Sequence, residues 1–225
     1  NIVDNAKCHS NTRLVFNIDL KDFFNQIHFG RVRGMFLNKP YEIGEEASTT
    51  FAQLACHKSI LPQGAPSSPI ITNMICRPLD NQLINLAKKY GLHYSRYADD
   101  ITFSTYKRSF PKAIVEGDLN SLRIGKELLR ILNKNGFNVN EDKVFLNSKF
   151  ERQEVTGLVV NKFPNLKREY IKEIRAILHN CEKHGIYNEA RKYIFNGKCK
   201  NENIISKVSN KEYENDIIEW FEKVL

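Results

Sequence analysis

Three aspartates are placed where chemistry is the question they raise: Asp19 closes the apolar run "RLVFNI", and Asp99 and Asp100 sit together inside "HYSRYADDITFS". Aspartate is depleted from strands, so an adjacent pair within a β-prone stretch needs a turn or a counter-charge. If the two strands are neighbours in a βαββαβ arrangement, three carboxylates converge at one edge of a sheet. Like charges at short range repel and push a pKa upward unless a cation neutralises them. Oxygen ligands with no Cys or His beside them select Mg²⁺ or Mn²⁺ over zinc. The chemistry that uses two such ions bridged by carboxylates is phosphoryl transfer, one ion activating a hydroxyl and the other holding a triphosphate. An Asp-Asp turn, with Asp19 as a helix cap, accounts for the same residues without chemistry and is the commoner outcome for an isolated pair.

The elements that must position these residues follow from periodicity. Residues 13–18 form a short apolar strand, and residues 23–36 continue as a helix with Phe23, Phe24, Ile27 and Val32 on one side. Residues 44–55 turn helical near their end. "LPQGAPSSPIITNM" is a Pro/Gly-rich loop closing on a helix start, with Ser68 as N-cap and Pro69 at the first helical position. That helix presents Ile71, Met74, Ile75, Leu79, Leu83, Leu86 and Tyr90 at three- and four-residue intervals, ends at Gly91, and should be kinked or divided at Pro78. A hairpin with an acidic tip follows. Next come a helix over 118–135, strands over 137–145 and 154–160, and a basic helix over 166–183 after Phe163-Pro164. This order predicts an α+β sandwich with helices on one face of an antiparallel sheet.

Composition sets the outer bounds. The 225 residues, 41% hydrophobic and 27% charged, are ordinary globular material. No apolar run approaches the length of a membrane span, and the first residues carry neither a basic nor an apolar leader, so no membrane partner is expected. Five widely spaced cysteines without a C-x-x-C pair read as reduced thiols in a cytoplasmic protein. The six histidines lack metal-ligand spacing and read as scattered core or surface residues. The net charge is +8, and residues 143–175 hold eight bases against four acids. That stretch is either a solvated surface or a phosphate-binding face.

Four segments in order, "FNIDLKDFF", "LPQGAPSSP", "YSRYADDITF" and "VTGLVV", resemble the palm motifs of reverse transcriptases, in particular those of bacterial retrons. The resemblance spans roughly residues 13–180. It implies a right-hand polymerase: a palm over residues 1–163, built as a βαββαβ antiparallel sheet with helices on one face, then a partial, mostly helical thumb over 164–225. The implied activity is RNA-directed DNA polymerisation with two Mg²⁺ ions, Mn²⁺ being an alternative. The implied partners are dNTPs, a structured noncoding RNA as template and primer, the nascent DNA, and a retron effector protein. The product would be a branched RNA–DNA used in antiphage defence, in a bacterial cytoplasm. A group-II-intron maturase-like or other defence-associated enzyme stays open, as does a nonpolymerising RNA-binding module.

The resemblance also implies roles at matching positions. Asp19, Asp99 and Asp100 would be the catalytic metal ligands, with the Leu20 carbonyl as a further one. Leu20, Lys21, Phe23, Phe24, Gln63, Gly64 and Lys143 would line the nucleotide site. Phe24 would exclude a 2′-hydroxyl, which argues for deoxynucleotides and against an RNA-dependent RNA polymerase. By itself Phe24 is a core aromatic on an amphipathic helix, and Gln63-Gly64 an ordinary turn. Lys143 would lie near the triphosphate and protonate departing pyrophosphate, although a strand lysine is ordinarily a solvated edge residue. Val155, Thr156 and Gly157 would grip the primer or its partner RNA, and Lys167, Arg168, Lys172 and Arg175 on a thumb helix would follow duplex phosphates irrespective of sequence. Only 18 residues precede Asp19, where the family carries a fingers region, and "YENDIIEWFEKVL" reads as an amphipathic helix with Tyr213, Ile217, Trp220, Phe221 and Val224 on one face. The expectation is a palm and the start of a thumb without fingers, with apolar surface exposed where fingers would pack.

Overall fold

A computed structural model of the chain describes residues 1–117, 122–199, 201–207 and 213–224. They form two compact units, residues 1–165 and residues 166–225. In the first unit, α1 (Ile2–Lys7) leads to β1 (Leu14–Asp19), α2 (Phe29–Leu37), α3 (Glu45–Ala55) and the long α4 (Ser68–Tyr90). Strands β2 (His93–Tyr97) and β3 (Asp100–Thr105) form the hairpin, followed by the two-residue strands β4 (Val115–Glu116) and β5 (Arg123–Ile124) and by α5 (Lys126–Lys134). The unit ends with β6 (Phe145–Ser148) and a small hairpin of β7 (Glu154–Val155) and β8 (Leu158–Val159).

The main sheet has the order β2-β3-β1-β6 with every neighbouring pair antiparallel. Alternation along β1 divides its two faces. Phe16 and Ile18 join Ile101, Phe103, Ile75, Leu79 and Leu83 in the main core beneath α4. Val15 faces the other way, into a small cluster with Ala6, Val155, Leu158 and Val160. Asn17 and Asp19 share that second face. Burying each large apolar side chain contributes about 1.5–3 kcal/mol, so the helix-covered face carries most of the unit's stability.

Several boundaries differ from those the sequence suggests. The helix expected from residue 23 begins only at Phe29, with the His28 Nδ1 accepting from the Arg31 N–H at 3.3 Å. Asp22 lies at φ 47°, and the Lys21 N–H donates to the Asn138 carbonyl at 2.9 Å, so residues 21–27 remain a series of turns. Ser68 is the first residue of α4 and not its cap: its hydroxyl donates to the Pro62 carbonyl at 2.6 Å, and Ser67 is the N-cap. The helix runs undivided through Pro78 and stops at Gly91, which takes the left-handed conformation at φ 64°.

The helix expected over 118–135 is shortened to α5. Residues 118–121 lie outside the described residues, and Gly125 packs so tightly on Ala113 that an added Cβ would fall 2.3 Å from its backbone. The strand expected over 137–145 is a bridge at Val139, a 3₁₀ turn at Glu141–Lys143, and a strand only from Phe145. The polar run 140–143 bends because the Asn140 N–H donates to the Asp19 carbonyl at 2.9 Å. The single strand expected over 154–160 is a hairpin, since Thr156 at φ 47° and Gly157 at φ 82° form a turn with two positive-φ residues.

The second unit comprises α6 (Arg168–His184), α7 (Ile186–Phe195), α8 (Glu202–Lys207) and α9 (Glu214–Val224). Its core joins Ile177, Ala190, Ile194, Ile217 and Phe221. Of the face expected on the last helix, Ile217 and Phe221 are buried, while Tyr213 and Val224 at its ends are exposed. No helix among the described residues is long and apolar enough to cross a membrane.

Candidate active site

The register of the sheet brings the acids together. Asp19 ends β1 and stands opposite Asp100, the first residue of β3, while Ile18 stands opposite Ile101. Cross-strand partners point to the same face, so the two carboxylates share the face away from α4, with Ile18 and Ile101 sunk into the core behind them. Asp99 lies in the turn between β2 and β3. The Leu20 N–H donates to the Asp99 carbonyl at 3.1 Å, which ties that turn to the end of β1.

Charge is concentrated here. Burial, reinforced by the charges of Asp99 and Asp19, pushes the Asp100 carboxyl up to about 6, with Lys143 working in the opposite direction. Burial also raises Asp99; a backbone hydrogen bond lowers it, the Asp19 charge raises it further and Lys143 offsets it. Lys143 is placed by the 3₁₀ turn, not by a strand, and its Nζ donates to Asp19 Oδ2 at 3.2 Å. The hydrogen bond and charge of Asp19 raise its pKa. Asn140 Nδ2 donates to the other Asp19 oxygen at 3.3 Å.

Two clefts open beside the carboxylates. One of about 360 Å³ is lined by Asp19, Leu20, Lys21, Phe23, Phe24, Gln63, Asp99, Asn140 and Lys143, among others. Phe23 is buried, stacked on Phe137 at 5.4 Å and edge-on to Phe24 at 5.4 Å, so it fixes the half-buried Phe24 at the cleft wall. Gly64, adjacent to Gln63, takes φ 87° and is not among the lining residues. The second cleft, of about 230 Å³, lies over the open face of the sheet and is bounded by Asn17, Asp19, Asp100, Thr102, Lys143, Phe145, Thr156 and Gly157.

Not every expected residue faces this site. Val155 is 1% exposed and packs into the cluster with Ala6 and Val15, so within the turn only Thr156 and Gly157 look onto the cleft. Arg168, Lys172 and Arg175 are exposed along α6 of the second unit, one helical face at i, i+4 and i+7, with Lys167 just before the helix.

Among the described residues no group of three or more His, Cys, Asp or Glu side chains is drawn closely enough to hold a metal ion. Asp19 is instead paired with Lys143. The donor set nonetheless fits a hard divalent cation: the clefts offer carboxylate and carbonyl oxygens with neither Cys nor His in their linings, and the carboxylates repel one another. Sequence reasoning missed Asn140, which bonds Asp19, and Asn17, whose Nδ2 donates to the Glu154 carbonyl at 2.9 Å while its Oδ1 accepts from Thr102 at 2.9 Å. Nothing distinguishes either from an ordinary polar residue until the register places it beside the acids.

Residues 1–161 match the reverse transcriptase (RNA-dependent DNA polymerase) family, and the chain belongs to that family. It is 36% identical over 180 residues to the retron Ec86 reverse transcriptase of Escherichia coli, covering 80% of this chain and 52% of that protein. To the retron Mx162 reverse transcriptase of Myxococcus xanthus it is 34% identical over 206 residues, 81% of this chain and 42% of that protein. The chain thus spans about half the length of the curated relatives it matches. Among solved structures, apo telomerase from Candida Tropicalis, truncated from its C-terminal domain, is a distant likeness at TM-score 0.44 and 11% identity, over 68% of this chain and 35% of that one.

Proposed function

We propose that this protein is an RNA-directed DNA polymerase of the retron type, adding dNTPs to a primer on an RNA template. The observation that carries the reading is the pairing of Asp19 with Asp100 across β1 and β3, with Asp99 in the turn beside them and the Phe24 cleft alongside. Asp19, Asp99, Asp100 and the Leu20 carbonyl would hold two Mg²⁺ ions, with Mn²⁺ as a substitute, which when bound supply hydroxyl activation and stabilisation of triphosphate charge. The chain's own residues do the rest. Phe24, braced by Phe23, crowds the position of a ribose 2′-hydroxyl. Lys143 exchanges its pairing with Asp19 for the triphosphate and can deliver a proton to the leaving pyrophosphate. Lys21 and Gln63 border the incoming nucleotide, with Gly64 beside Gln63 letting the backbone of that loop approach it, and Thr156 and Gly157 border the primer end.

The finer assignments extend from the retron relatives. Residues 1–163 act as a palm and 164–225 as part of a thumb, where Lys167, Arg168, Lys172 and Arg175 contact duplex phosphates. A structured noncoding RNA serves as template and primer, the product is a branched RNA–DNA, and an effector protein couples it to antiphage defence. An inverted-repeat noncoding RNA encoded beside the gene would support that biology.

The test is primer extension on RNA with Mg²⁺ and dNTPs. Wild-type protein should extend, Asp99→Asn should lose extension while keeping its circular dichroism spectrum, and Phe24→Ala should admit ribonucleotides. RNA binding without extension by wild-type protein would instead favour a nonpolymerising RNA-binding module.

A further inference from the structure

The turn that carries Asp99, closed by the Tyr97–Asp100 pair, holds one strained residue. Ala98 lies at φ 52°, the left-handed region that a residue with a Cβ adopts at a cost, and no glycine or asparagine is there to relieve it. Besides the Leu20 N–H bond to the Asp99 carbonyl, a second tie comes from behind the sheet. Tyr94 and Arg96 stand opposite Phe103 and Ile101, so they face α4, opposite to the carboxylates Asp19 and Asp100.

The Arg96 side chain, 4% exposed, makes four hydrogen bonds there. Its Nη1 donates to the Ala98 carbonyl at 2.9 Å. Its Nε and Nη2 donate to Asp80 Oδ1 at 2.8 Å and Oδ2 at 2.7 Å, a two-pronged bond to α4, and Nη2 also reaches Asn73 Oδ1 at 3.2 Å. The Tyr94 hydroxyl donates to Asp80 Oδ1 at 2.8 Å, which fixes the carboxylate that fixes the arginine. Burial works against the Arg96 charge, but the hydrogen bonds of Asp80, with the charges of Cys76, Asp80 and Tyr94, outweigh it and the pKa rises. None of these groups touches either cleft beside the acids.

We propose that Arg96, oriented by Asp80 and Tyr94, is the positioning residue that clamps the Ala98 carbonyl and thereby sets the turn on which Asp99 and Asp100 are presented. Its link to catalysis rests on the polymerase reading above; the clamp itself does not. A lysine at this position keeps the charge but offers one compact donor group in place of a planar fork, so it cannot hold the Asp80 carboxylate and the Ala98 carbonyl together.

Hydrogen exchange at the Leu20 amide reads the turn directly, because that N–H donates to the Asp99 carbonyl. In Arg96→Lys, and in Asp80→Asn as a second variant, Leu20 exchange should accelerate about 10-fold while amides of the β1–β3 ladder far from the turn stay unchanged. In the same variants kcat for single-nucleotide addition should fall about 100-fold, with the KM for dNTP altered less than about threefold. Unchanged Leu20 exchange in both variants, or acceleration spread evenly over the whole sheet, overturns the clamp. Absence of nucleotide addition by wild-type protein overturns the polymerase reading instead, and the exchange comparison still decides the clamp.

Discussion

The two faces of the central sheet are built to different ends. Toward α4 stand Phe16, Ile18, Ile101 and Phe103, all at most 1% exposed. Toward the open side, one position along each strand, stand Asn17, Asp19, Asp100 and Thr102, joined by polar bonds and repelling charges. Because alternate residues of a strand point to opposite sides, one stretch of sequence serves both, and stability on one face offsets the tension on the other.

The comparison can be broken from the apolar side. Phe103→Ala should cost about 3–5 kcal/mol in chemical denaturation, since it empties a fully buried volume beneath α4. A cost under 1 kcal/mol would mean that the helix-covered face is not what holds the sheet.

The open face can be sharpened by pH. His9 is buried beside it, with Nδ1 2.7 Å from Ser104 Oγ and Nε2 2.8 Å from Ser95 Oγ. Burial, then the charge of His93, lowers its pKa from 6.5 to about 3. The folded state therefore refuses a proton that the unfolded chain accepts. Its stabilising contribution is complete above pH 6.5 and is lost as pH falls toward 3, by up to about 4 kcal/mol. Stability measured between pH 7 and 4 should decline more steeply in wild-type protein than in His9→Gln; parallel curves would contradict this. A smaller loss of stability concerns the hairpin over the open face. Gly157→Ala places a Cβ at φ 82° and should cost about 1–2 kcal/mol in thermal or chemical denaturation, with nothing nearby to obstruct the side chain itself.

Much of this division is legible in sequence. The short apolar run 13–18, the three- and four-residue spacing from Ile71 to Leu86 and the terminal Gly91 specify β1 and α4, because apolar burial there follows the local pattern. The acids are legible as a turn flanked by strands. Less legible are the elements set by distant partners. Residues 21–27 carry a helical apolar pattern but are drawn into turns by the Lys21–Asn138 bond, and Lys143 reaches Asp19 because residues 140–143 bend instead of extending. Arg96 illustrates the limit most clearly. An arginine three residues before an aspartate pair invites reading as their counter-charge, yet it faces away from Asp100 and binds Asp80, a residue that periodicity marks only as the polar side of a helix.

Asp100→Asn tests the central claim most directly, because it separates the two faces in one variant. Removing a charge that its neighbours disfavour should leave the folded state intact and, at neutral pH, raise its stability by about 1 kcal/mol or less once solvent screening is allowed for. Under the polymerase proposal, single-nucleotide addition on an RNA-templated primer should fall by about 1,000-fold or more, because the variant removes one of the proposed metal-holding carboxylates. Retained addition in a folded Asp100→Asn protein would contradict the account.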